Sequence, residues 1–74
     1  MFEQLKQILV EELQLSPDEI TPNAELIKDL GVNSLELADL ILLCEEKFNI
    51  EVKDEDIHKF ITIQNVVDFL EQNA

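Results

Sequence analysis

The stretch from Ser16 to Asn33 interrupts helical periodicity and holds both prolines and the only glycine of the 74-residue chain. A chain of this length buries only about 60% of the surface its unfolded form exposes, so its core is thin. Long ordered loops in small folds are usually functional, and the fold has to be built around this one. It is not uniformly polar, because Ile20, Leu26, Ile27, Leu30 and Val32 can pin it to a core. Ser16-Pro17-Asp18-Glu19 reads as a stop followed by a short capped turn with Pro in its first turn, and Thr21-Pro22-Asn23 as a second breaker. Lys28-Asp29-Leu30 closes on Gly31, the residue type that accepts a positive φ most readily. A pinned loop of this kind delivers whatever follows it to a fixed place.

Around the loop the pattern is helical. Phe2, Leu5, Ile8, Leu9 and Leu13 form one apolar stripe, which predicts a helix from Phe2 to Leu15. Beyond the loop, Asn33 is a good N-cap, and Glu36 three residues on completes a capping-box pattern. The helix that follows is rich in apolar residues, runs to Phe48 and holds Ser34 in its first turn. Asn49-Ile50-Glu51-Val52 reads as an extended link. Lys53 to Phe60 reads as a short third helix with acids in its first turn. Thr62 caps a final helix through Gln72, with Ile63, Val66, Val67, Phe69 and Leu70 on its apolar face. No strand pair is convincing. The expected fold class is all-α: a small irregular four-helix bundle with a short third helix and a long loop between the first two, residues 1–74 forming a single domain.

The second helix carries more apolar surface than a single core stripe needs. With Leu35 at zero and 100° per residue, Leu40, Cys44, Leu37, Phe48, Ile41 and Ala38 fill an arc from about 140° to 300°. Leu42 and Leu35 extend that arc to roughly 340° and 0°, where it meets Glu46 and Asp39. A helix central in its bundle accounts for some of this width. The flank made by Leu35 and Leu42 beside carboxylates also fits a mixed apolar and acidic docking face. Ser34 opens this helix, where unpaired N–H groups and the positive end of the dipole tolerate an attached phosphodiester. Local physics permits an attachment site there without demanding one.

Charge narrows the function classes. Seventeen acidic residues face five basic ones, all Lys, for a net charge of -12. Nucleic acid and anionic lipid both require cationic contacts, so neither suits this surface, whereas basic protein patches do. Cys44 is alone, so no intramolecular disulfide forms, and no Cys/His cluster has metal-ligand spacing. The residues MFEQLKQILVEEL are unlike a secretory signal or an Arg-rich transit peptide, and no apolar run approaches a membrane span, so a cytoplasmic monomer without membrane insertion is expected. An enzyme lacks parts: His58, the single histidine, lies among charged residues with no nucleophile at workable spacing, and Ser34 has no evident base. Asp54-Glu55-Asp56 lacks the alternating ligands, the glycine and the closing glutamate of a calcium loop. An unmodified acidic interaction module is harder to set aside.

The whole chain resembles the acyl carrier protein family, the phosphopantetheine-binding carriers. The centre of the likeness is Asp29-Leu30-Gly31-Val32-Asn33-Ser34-Leu35-Glu36, which is similar to the family's attachment signature of a Leu-Gly step followed by Asp-Ser-Leu. Glu45-Glu46-Lys47-Phe48 resembles the acidic end of the second helix, Val52-Lys53-Asp54-Glu55-Asp56 the start of the third, and Thr62-Ile63-Gln64 the start of the fourth.

The resemblance implies a phosphoprotein, not an enzyme. A phosphopantetheinyl transferase would attach 4'-phosphopantetheine from coenzyme A to Ser34, and acyl groups would ride on the arm as thioesters in fatty acid biosynthesis and lipid metabolism. It implies that acyl-processing enzymes with basic patches dock at Asn33, Leu35, Glu36, Asp39, Leu42, Glu45 and Glu46. It also implies an acyl pocket beside the second and third helices, with Leu42, Ile57 and Ile61 as lining candidates. Two departures point towards a specialised carrier of polyketide, aminoacyl or other cargo. Asn33 replaces the family's usual Asp and loses a charge that meets a basic transferase. Ile57 and Phe60 are bulky where fatty-acid carriers often have smaller residues, which would make the pocket shallow or reshaped.

Overall fold

The first apolar stripe forms α1, Phe2–Glu12, in a computed structural model that describes residues 1–73. Leu5, Ile8 and Leu9 are buried, while Phe2 and Leu13 pack half-buried against them. The helix stops short of the expected Leu15 because Gln14 turns left-handed, at φ 57. That turn lets the Leu15 N–H fold back onto the Leu9 carbonyl at 3.3 Å and returns Leu15 to the edge of the core. A single 3₁₀ turn, Pro17–Glu19, follows with Pro at its start, as its fixed φ favours.

The long connection is ordered by two devices. Ile20, Ala24, Leu26, Leu30 and Val32 are buried. Ile27 is not: it is 59% exposed, against the expectation that it pins the loop. Residues 25–30 form one tight turn in which the Asp29 and Leu30 N–H groups both donate to the Glu25 carbonyl. Leu26 and Leu30, four apart, share its inner face, which aims Ile27 away from it. The second device is backbone hydrogen bonding to the start of the last helix. Leu26 N–H donates to the Ile61 carbonyl at 2.9 Å, Ile63 N–H to Ala24 at 3.0 Å and Gln64 N–H to Pro22 at 2.9 Å.

Helix α2 spans Ser34–Phe48 and buries Leu40, Ile41 and Cys44. Leu37 and Phe48 join them half-buried, whereas Ala38 is exposed, so the core arc is narrower than its apolar pattern. Asn49, left-handed at φ 54, ends the helix, and the Ile50 N–H donates to the Glu45 carbonyl. Helix α3 is only Asp54–Ile57, shorter than the expected Lys53 to Phe60. Lys59 and Phe60 donate to carbonyls three residues back, at Asp56 and Ile57, which tightens the chain out of α-helical pitch and swings Phe60 inward. Helix α4, Ile63–Asn73, puts Ile63, Val66, Val67, Phe69 and Leu70 into the core. Thr62 caps it, its Oγ1 accepting the Asn65 N–H while its own N–H donates to Asn65 Oδ1.

The described residues are all-α, four helices around one apolar cluster, with α3 short and the loop between α1 and α2 long. Among the described residues the only β-type pairing is an isolated bridge between Glu25 and Thr62.

Candidate attachment and docking site

The N-terminus of α2 is built by a complete capping box. Asn33 Oδ1 accepts the Glu36 N–H at 2.8 Å, and Glu36 Oε1 accepts the Asn33 N–H at 3.2 Å. The Leu37 N–H is the first to reach a helical carbonyl, that of Asn33. Among the described residues the N–H groups of Ser34 and Leu35 therefore have no protein acceptor, as the first turn of a helix dictates. Ser34 is exposed at this point. Its approach is set by Val32, buried, whose N–H donates to the Leu26 carbonyl at 2.9 Å, and by Gly31 at φ 70.

An exposed hydroxyl beside two outward N–H groups and a positive dipole end fits a phosphodiester well. The Ser34 hydroxyl forms no hydrogen bond to another side chain among the described residues.

The residues expected to dock partners divide into two groups. Leu35 and Leu42 are 78% and 56% exposed, and Asp39 and Glu46 are exposed beside them. Glu36 and Glu45 are half-buried and already occupied, Glu36 in the capping box and Glu45 as acceptor of the Val52 N–H at 3.0 Å. Asn33 is exposed but spends its side-chain oxygen on the cap.

The three acyl-pocket candidates are not brought together. Leu42 lines a groove with Glu12, Leu13, Asp39, Leu43 and Glu46. Ile61, 53% exposed, lines a separate one with Glu25, Ile27, Lys28 and Phe60, and Ile57 packs half-buried against the core. Phe60, just past α3, is only 3% exposed and meets Phe69 of α4 edge to face, ring centroids 5.3 Å apart.

Cys44 is buried, and burial, helped by the neighbouring Glu45 charge, pushes its thiol up to about 11. No helix among the described residues is long and apolar enough to cross a membrane, and no group of acidic, His or Cys side chains among them is arranged to hold a metal.

These features carry the signature of a carrier domain, and comparison with known proteins agrees. A family model described as "Phosphopantetheine attachment site" matches residues 3–70. The chain is 41% identical over 73 residues to the acyl carrier protein of Helicobacter pylori (strain J99 / ATCC 700824), covering 99% of this chain and 94% of that one. It is 38% identical over 73 residues to the acyl carrier protein of Wolinella succinogenes, covering 99% and 96%. The chain belongs to the acyl carrier protein family, the carriers that hold 4'-phosphopantetheine covalently.

Proposed function

We propose that Ser34 is the attachment residue and that residues 1–74 act as one carrier domain, holding acyl intermediates as thioesters for enzymes of fatty acid biosynthesis. The capping box carries this reading: it exposes the Ser34 hydroxyl while turning the Ser34 and Leu35 N–H groups towards an incoming phosphate. A phosphopantetheinyl transferase would remove the hydroxyl proton, and Oγ would form the new P–O bond as the pyrophosphate bond of coenzyme A breaks and its nucleotide half leaves. The acyl-processing enzymes dock through basic patches on Leu35, Leu42, Asp39 and Glu46, the exposed members of the acidic and apolar face. The carrier works as a cytoplasmic monomer.

Intact mass after incubation with coenzyme A and a transferase tests the reading. One arm's mass is gained, and Ser34→Ala gains none. No gain with several transferases would overturn attachment and leave an unmodified interaction module. Asn33 before the serine and the inward Phe60 favour a second reading, a carrier of specialised cargo. The mass of the thioester isolated with the loaded protein decides between the two.

A further inference from the structure

Asp39, Leu42, Leu43 and Glu46 fall at i, i+3, i+4 and i+7 along α2, one stripe of a helix surface. That stripe faces the end of α1, where Glu12 and Leu13 complete a groove of about 330 Å³. Leu13 and Leu43, both half-buried, form its floor, and Leu42 forms an exposed wall. Glu12, Asp39 and Glu46 stand around it, all exposed. Among the described residues none of the three takes part in an ion pair or a side-chain hydrogen bond; the ion pair present there is Lys59–Asp56, between α3 and the turn that follows it. No lysine lines the groove.

An apolar floor ringed by carboxylates that lack cations has a definite complement: an apolar side chain flanked by Lys or Arg, whose aliphatic stems lie on the leucines while their charged heads meet the rim. We propose that this groove between α1 and α2 seats such a basic segment of a partner enzyme, so that docking spans two helices rather than α2 alone. The proposal rests on the carrier reading above and adds Glu12 and Leu13 to its contact surface. Leu42 lies eight residues beyond Ser34, roughly 12 Å along the helix axis. An enzyme held in the groove can therefore reach the serine while its own active site stays clear of the grip.

The test is the rate of arm addition by a phosphopantetheinyl transferase with coenzyme A, followed by mass, for Glu12→Lys, Glu46→Lys and Glu3→Lys. Glu3 is exposed on the same helix, about 13 Å from Glu12 along its axis, so its variant makes the same change in net charge away from the groove. Glu12→Lys and Glu46→Lys should each lower kcat/KM at least fivefold, mainly through KM, and the loss should shrink at high salt. Glu3→Lys should change it less than twofold. Glu12→Lys matching Glu3→Lys while Glu46→Lys is impaired would confine docking to α2 and overturn the groove. All three near wild type, with the arm still added to Ser34, would overturn acidic docking while leaving attachment intact. Shifts of the Leu13, Leu42 and Leu43 methyl signals in the isolated acyl-loaded protein would give the groove to the cargo instead. Concentration-dependent dimers abolished by Glu12→Lys would give it to a second copy.

Discussion

The carboxylate of Glu45 accepts the backbone N–H of Val52 at 3.0 Å, seven residues ahead of it, while its own carbonyl accepts the N–H of Ile50. One residue thus closes α2 and sets the course of the link into α3. A part-buried hydrogen bond to a charged group contributes about 1.5 to 3 kcal/mol. Glu45→Ala should cost about 1.5 to 3 kcal/mol in urea unfolding. Glu45→Gln, which keeps an acceptor, should cost less. Amide exchange at Val52 should accelerate in the Ala variant.

Gly31 tests the loop that leads to the serine. A Cβ there would meet nothing within 4 Å, so space is not the constraint. The backbone is, at φ 70. Gly31→Ala should destabilise by about 1 to 2 kcal/mol, the cost of left-handed backbone for a side-chain-bearing residue. Gly31→Asn should lose less, since Asn adopts that region more readily. Thermal unfolding of the pair against wild type measures the difference.

Asn33 tests the cap separately from the attachment chemistry. Asn33→Ala removes the acceptor for the Glu36 N–H and should cost about 1 kcal/mol. Asn33→Asp retains an acceptor and adds a charge at the positive end of α2, against repulsion from Glu36, so stability should stay within about 0.5 kcal/mol. If the missing charge governs recognition, Asn33→Asp should raise the rate of arm addition by a transferase that prefers Asp before the serine. An unchanged rate would show that the cap alone is read.

Cys44 gives a pH prediction. Its folded thiol is raised from 9.0 to about 11, so the folded state holds its proton longer than the unfolded chain does. The stability this contributes is fully present below pH 9 and is lost as pH rises through about 11. Between pH 8 and pH 10.5 the wild type should lose more stability than Cys44→Ala, by on the order of 1 to 2 kcal/mol. The folded protein should also react slowly with iodoacetamide at neutral pH and quickly in urea.

The helices were readable because each announces itself within a few residues: Asn33 and Glu36 specify the cap of α2, and the apolar face of α4 is a clean stripe. The loop was harder. Its apolar pins were visible, but the bonds from Leu26, Ile63 and Gln64 join backbone groups of distant segments and leave no side-chain pattern. Ile27 misled because hydrophobicity alone does not tell which face of a short turn turns inward. The family resemblance named Glu36 and Glu45 as partner-facing; the capping-box spacing already gave Glu36 its backbone role, but the hold of Glu45 on the Val52 N–H seven residues away leaves no local pattern. The stripe Asp39, Leu42, Leu43 and Glu46 was present in the spacing, but only the packing of α1 supplied its opposite wall.

The three backbone bonds between the loop and residues 61–64 also impose an order of assembly. Segments separated by more than thirty positions must meet before Val32, hydrogen-bonded to Leu26, can hold the start of α2 in place. Such non-local closure is slow compared with local helix formation. The serine therefore reaches its fixed position only once residues 61–64 have closed onto the loop, and an enzyme that recognised that position would read the folded arrangement rather than the local sequence.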